Sequence, residues 1–79
     1  MYIQLTIDLR NYQKEKLDLR LSNYLPIKKV AEIAWEVKKI EESPRTGCWV
    51  RVVNKDKVFS GNRTLAECGI TSGDRLEIL

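Results

Sequence analysis

Residues Arg63 to Leu79 read RTLAECGITSGDRLEIL, and this stretch decides the fold. The Gly73-Asp74 pair predicts a tight turn that feeds a last strand. In that strand Leu76 and Ile78 fall on one face, and Arg75, Glu77 and Leu79 on the other. Such alternation marks a strand with one buried side. Leu65 to Cys68 has room for a single helical turn of 3₁₀ type, and Ile70 is placed to plug a core. The sequence stops at Leu79, on the strand itself, and no tail is expected beyond it.

Working back from this end, Ser60-Gly61-Asn62 reads as a turn and Val58-Phe59 as a short strand. Asn54-Lys55-Asp56 is another turn. Cys48 to Val53 predicts a strand with Cys48, Val50 and Val52 on one face and Trp49, Arg51 and Val53 on the other. Apolar residues on both faces place it inside the sheet or under a cover. Ser43-Pro44-Arg45-Thr46-Gly47 breaks the pattern and reads as a loop. Before it the period changes. Ile27, Val30, Ala31, Ala34 and Val37 form one stripe at helical spacing, with Lys28, Lys29, Glu32, Glu36 and Lys39 on the other side. Pro26 suits the first turn of that helix, which is expected to run to about Ile40. Trp35 lies off the stripe by about 100° on a wheel of 3.6 residues per turn. Its ring is expected to fold over the stripe's edge onto a loop, and it is also a secondary candidate for a partner contact, since Trp is enriched at interface hot spots. Two alternating runs open the chain: Ile3, Leu5 and Ile7 within Met1 to Leu9, then Leu17, Leu19 and Leu21. The polar link Arg10 to Lys16 makes them an antiparallel hairpin with a wide loop.

The chain of 79 residues is expected to form a single domain, 1–79, with one small core. Hydrophobic residues at 43% and charged residues at 32% exclude a disordered chain. The net charge of +3 is spread along the whole sequence, with no run beyond two like charges, so it reads as a solvated surface. The two cysteines, Cys48 and Cys68, sit in apolar surroundings and are expected as buried, reduced thiols. With no His and no paired-cysteine spacing, no metal site is expected. No apolar stretch approaches the roughly 20 residues that span a bilayer, and no signal peptide is visible, so a cytoplasmic protein without membrane insertion is expected.

The order β-β-α-β-β-β with its closing segment resembles ubiquitin. Arg63-Thr64-Leu65, Ile70 and the alternating last strand are similar to ubiquitin's C-terminal half. The spacing from Val30 back to Leu21, Leu19 and Leu17 matches its hairpin. The resemblance covers essentially the whole chain and implies an α+β, ubiquitin-like β-grasp fold, in which a mixed sheet wraps one helix. More specifically, PIKKVAEIAW (Pro26 to Trp35), VRVVNKDKVFSG (Val50 to Gly61) and CGITSGDRLEIL (Cys68 to Leu79) resemble the YukD family. These are small ubiquitin-like proteins of Gram-positive type VII (WXG100, ESX-like) secretion systems. The resemblance implies an accessory or regulatory role in secretion and no enzymatic activity. It also implies protein partners, foremost membrane components of the secretion apparatus, which would hold the protein at the membrane periphery.

The chemistry legible in the residues agrees with a binding role. A ubiquitin-like modifier or sulfur carrier needs a flexible Gly-Gly tail, so that the terminal carboxylate can enter an activating enzyme. Here the last glycine is Gly73, a turn residue, and no covalent conjugation is expected. Without His, Ser-His and Cys-His nucleophile pairs cannot form. Gly47, Gly61, Gly69 and Gly73 stand singly, so no phosphate loop exists and no cofactor is expected. What remains is a surface: Trp49, Arg51, Val53 and Leu79 on the sheet face away from the helix, rimmed by Arg75 and Lys55. By resemblance Val53 occupies the position of the isoleucine at the centre of ubiquitin's recognition patch, and Arg51 and Leu79 match other sheet-face positions. Trp49 and Glu77 depart from ubiquitin there, so ubiquitin receptors are not expected to bind. The alternative is a nucleic-acid-binding β-grasp domain using Arg51, Arg75, Lys55 and Lys57 against phosphates. No basic run or aromatic pair supports it, and nucleic acid is not an expected partner.

Overall fold

A computed structural model describes residues 1–13, 15–42 and 48–79. The elements follow the expected order: β1 (Tyr2–Asp8), β2 (Lys16–Ser22), α1 (Ile27–Lys38), β3 (Val50–Val52), β4 (Lys57–Phe59) and β5 (Arg75–Ile78). One five-stranded sheet has the order β2-β1-β5-β3-β4. Its central pair, β1 and β5, is parallel, and every other pairing is antiparallel. The sheet is therefore mixed, and the last strand lies at its centre.

The core forms where the alternating faces meet the helical stripe. Ile3, Leu5, Ile7, Leu21, Val50, Val52, Leu76 and Ile78 project from the strands against Ile27, Val30, Ala31 and Ala34 of α1. Leu65 and Ile70 seal it from the segment between β4 and β5. Each large aliphatic side chain removed from water here contributes about 1.5–3 kcal/mol.

Several details differ from the sequence reading. Val37, placed on the buried stripe, is 53% exposed. It lies in the last helical turn on the flank shared with Ile33. Pro26 is the residue before the helix, in an extended conformation (φ −70°, ψ 151°), and caps nothing with its side chain. The first-turn donors are met instead across the fold: Ile27 N–H donates to the Arg63 carbonyl at 2.8 Å and Lys28 N–H to the Gly61 carbonyl at 3.0 Å. This satisfies the free amides that every helix start exposes. The helix ends at Lys39, whose left-handed backbone (φ 51°) closes it just short of Ile40. Strand β3 is shorter than Cys48–Val53, because Cys48 takes a positive φ of 46° that breaks the extended run. Leu65 to Cys68 forms hydrogen-bonded turns that close on Ile70 (Ile70 N–H to the Leu65 carbonyl, 3.1 Å) and no continuous 3₁₀ helix. Cys48 and Cys68 are free thiols and half-buried, where full burial was expected. Burial pushes both thiols above their ordinary range. The expected loop 43–47 lies outside the described residues.

Candidate partner-binding face

On the face of the sheet away from α1, alternation brings the odd-numbered residues of β3 and β5 together. Val50 pairs with Ile78, Arg51 with Glu77 and Val52 with Leu76. The pairing continues past both strand ends, since Leu79 N–H donates to the Trp49 carbonyl at 2.9 Å and Val53 N–H to the Arg75 carbonyl at 2.9 Å. Three cross-strand pairs therefore line the outer face: Trp49 with Leu79, Arg51 with Glu77, Val53 with Arg75. Directly opposed side chains in such a ladder stand about 4.5–5.5 Å apart at Cβ. Trp49 is 49% exposed, while Arg51, Val53 and Leu79 are half-buried.

The four sequence-predicted residues thus share one face, but their arrangement differs from an apolar cluster with a basic rim. Arg51 stands between Trp49 and Val53, with Nε 3.6 Å from Glu77 Oε1. Lys55, expected on the rim, is turned away: its Nζ contacts Asp74 Oδ2 at 2.8 Å and the Gly69 carbonyl at 2.8 Å. Val58 was missed. It lies opposite Arg51 on β4 and is 50% exposed, so it extends the apolar part of the face. The signal was present in the alternation of Lys57, Val58 and Phe59, but the register that sets Val58 beside Arg51 is a tertiary fact.

Glu77 is the larger surprise. Expected on the solvent side, it is only 8% exposed. The β1–β2 connection folds over it: Asn11 Nδ2 donates to Glu77 Oε2 at 3.2 Å and to the Ile78 carbonyl at 2.8 Å. Beside it on β1, Asp8 is 2% exposed and accepts from Arg10 Nη2 at 2.7 Å and from the Arg10 backbone N–H at 3.0 Å. The side-chain bond from Arg10, working against burial, holds the Asp8 carboxyl below its usual range. A charged row, Arg51–Glu77–Asp8 with Arg10 above it, therefore crosses the outer face.

Leu79 is held from both sides, since its carbonyl accepts from the Tyr12 hydroxyl at 2.8 Å. Tyr12 also meets Trp35 edge-on, with ring centroids 4.7 Å apart. Trp35 Nε1–H donates to the Glu42 carbonyl at 2.7 Å. The Trp35 ring thus lies half-buried between the β1–β2 loop and the segment after the helix, off the Trp49 face. Among the described residues, no helix is long and apolar enough to cross a membrane.

A five-stranded mixed sheet wrapped on a single helix, with a parallel β1–β5 centre, defines a ubiquitin-like domain. Solved structures agree on the fold: a de novo designed protein based on ubiquitin (TM-score 0.76, 19% identity, 99% of this chain and 87% of that one). The ubiquitin-like domain of EccD5 from Mycobacterium xenopi also matches (TM-score 0.61, 17% identity, 100% of this chain and 93% of that one). The chain belongs to the YukD family, whose model, described as "WXG100 protein secretion system (Wss), protein YukD", matches residues 2–78. It is 61% identical over 79 residues to the ESX secretion system protein YukD of Bacillus subtilis (strain 168), covering 100% of both chains.

Proposed function

We propose that this chain is a non-covalent protein-interaction module, an accessory or regulatory component of a type VII secretion system, and that it binds through the outer sheet face. The observation that carries this reading is Trp49, a large indole half in solvent on a rigid β3–β5 ladder, next to Leu79 and Arg51. Aromatic and Arg anchors on a fixed scaffold supply much of the energy of protein interfaces. The family supports the secretion context. A cytoplasm-facing part of the membrane apparatus is the partner that fits a small domain of this kind.

The test is affinity capture of the tagged protein from its own cells, eluted in native and in denaturing buffer. Secretion components are expected to co-elute natively and to be lost on denaturation. Trp49→Arg and Val53→Arg are expected to lose that capture while keeping a wild-type circular dichroism spectrum. Normal capture and secretion by both variants would refute the assignment of the face, and heavier species surviving denaturation would refute the non-covalent reading.

A further inference from the structure

Among the described residues, strand β2 is an open edge of the sheet along its seven residues. Its ladder with β1 is closed at the ends by Leu9 N–H to the Glu15 carbonyl (3.0 Å) and Asn23 N–H to the Met1 carbonyl (2.9 Å). Between them the register pairs Ile7 with Leu17, Leu5 with Leu19 and Ile3 with Leu21. Antiparallel bonding recurs at every second residue, so these odd-numbered residues direct their backbone groups to β1. Lys16, Asp18 and Arg20 therefore aim their N–H and C=O groups outward. No proline falls within Lys16–Ser22 to block that edge.

The side chains along the edge are ordered by face. Leu17 and Leu19 point to the helix side and are half-buried, while Lys16, Asp18 and Arg20 are exposed on the outer side. On α1, Lys28 lies beside Gly61, which also lies against Cys48, and Glu32 acts electrostatically on Cys48. That flank faces the β3–β4 end of the sheet. Ile33 and Val37, on the opposite flank, face the β2 end, and Val37 is 53% exposed. An apolar strip thus accompanies the open edge.

We propose that a second copy of this chain adds its own β2 to this edge, antiparallel, about a two-fold axis at Leu19. The charges select this register. With Leu19 opposite its own copy, Asp18 lies opposite the partner's Arg20 and Arg20 opposite the partner's Asp18. Leu17 meets Leu21, and Lys16 meets Ser22. A slip of one step in the bonding pattern sets Lys16 against Arg20 and Asp18 against Asp18, and a slip the other way sets Arg20 against Arg20. Opposed like charges destabilise a ladder and opposed unlike charges stabilise it. The interface is self-complementary, as a two-fold contact requires. It continues the sheet across both copies and leaves the Trp49 face, at the other end of each sheet, free. The dimer would present that face twice.

The test is sedimentation equilibrium of the full chain up to about 1 mM, within the range of weak specific pairing. Concentration-dependent dimers are expected. Asp18→Arg and Arg20→Asp, each checked for its fold by circular dichroism, should each weaken the dimer by about tenfold or more, because each sets like charges opposite one another. An equimolar mixture of the two variants should restore it, since every opposed pair of these positions in the mixed dimer again joins an arginine to an aspartate. In the wild type, amide exchange at Lys16, Asp18 and Arg20 should slow as concentration rises. A monomer throughout, a dimer indifferent to both variants, or a mixture that fails to recover would overturn the proposal. So would edge amides protected only when another protein is added to a monomeric chain, which would assign the edge to a foreign strand.

Discussion

Replacing Asp74 with asparagine removes a charge while keeping the side chain's shape, and the structure sets the cost. Asp74 is 4% exposed. Its Oδ1 accepts from Asn54 Nδ2 at 2.8 Å, and its Oδ2 accepts from Thr71 N–H at 2.9 Å and from Lys55 Nζ at 2.8 Å. Asn54 in turn accepts from Arg75 N–H at 3.0 Å, so the carboxylate organises the entry to β5. In Asp74→Asn the amide nitrogen replaces one oxygen. If it replaces Oδ2, it faces two donors. A hydrogen bond to a charged acceptor is worth about 1.5–3 kcal/mol. The Lys55 pair adds less, because Lys55 is 38% exposed and water screens it. Relief from burying a charge offsets part of the loss. The expected net destabilisation is about 2 kcal/mol, which at a urea slope of about 1 kcal/mol/M lowers the midpoint by about 2 M. The pH dependence identifies the cause. Burial pushes the Asp74 carboxyl up, but its bonds from Lys55, Asn54 and Thr71 outweigh this and leave it below 3.8. A carboxyl depressed in the folded state stabilises above its unfolded value and loses that contribution as pH falls through the folded value. Urea titrations from pH 7 to pH 2 should therefore show a constant gap between wild type and variant near neutrality, closing in acid below 3.8. A gap that is equally wide at pH 2, or smaller than about 0.5 kcal/mol at pH 7, the range of ordinary surface substitutions, would refute the reasoning.

Two further outcomes follow from packing. Gly61→Ala would set a methyl 2.9 Å from Cys48 Cβ and 3.1 Å from the Cys48 carbonyl and Lys28 Cβ, so thermal unfolding should fall by the equivalent of about 1–3 kcal/mol. An unchanged midpoint would show that the Cys48 segment yields freely. Val30→Ala and Val37→Ala make the same chemical change in one helix, and denaturant titration should separate them. Val30, fully buried, should cost about 2 kcal/mol or more and Val37 less than about 0.5. Equal losses would contradict the exposure of Val37.

Trp49, Arg51, Val53 and Leu79 share the outer face because a strand alternates, a property of the covalent chain that any reader of the sequence possesses. Likewise Ile27, Val30, Ala31 and Ala34 face the core because the helical period allows nothing else once one of them is buried. Val37 shows where this reasoning stops. Its angle on the helix is right, but whether a strand reaches beneath it depends on where the sheet ends. The same holds for Glu77. Its alternation with Ile78 correctly directs it away from the helix, yet Asn11 and Arg10, far away in the chain, fold over that side and bury it. Local pattern specifies which side of an element a residue takes, because that is decided within a few bonds. What stands across from it is decided by pairings such as Arg51 with Glu77, Ile27 with the Arg63 carbonyl and Lys55 with Asp74. These exist only after the chain has closed on itself. The strands, the helix and the family were determined by the sequence alone. The central place of β5, the charged row across the outer face and the open β2 edge were decided by the tertiary structure, through contacts between residues that sequence distance keeps apart.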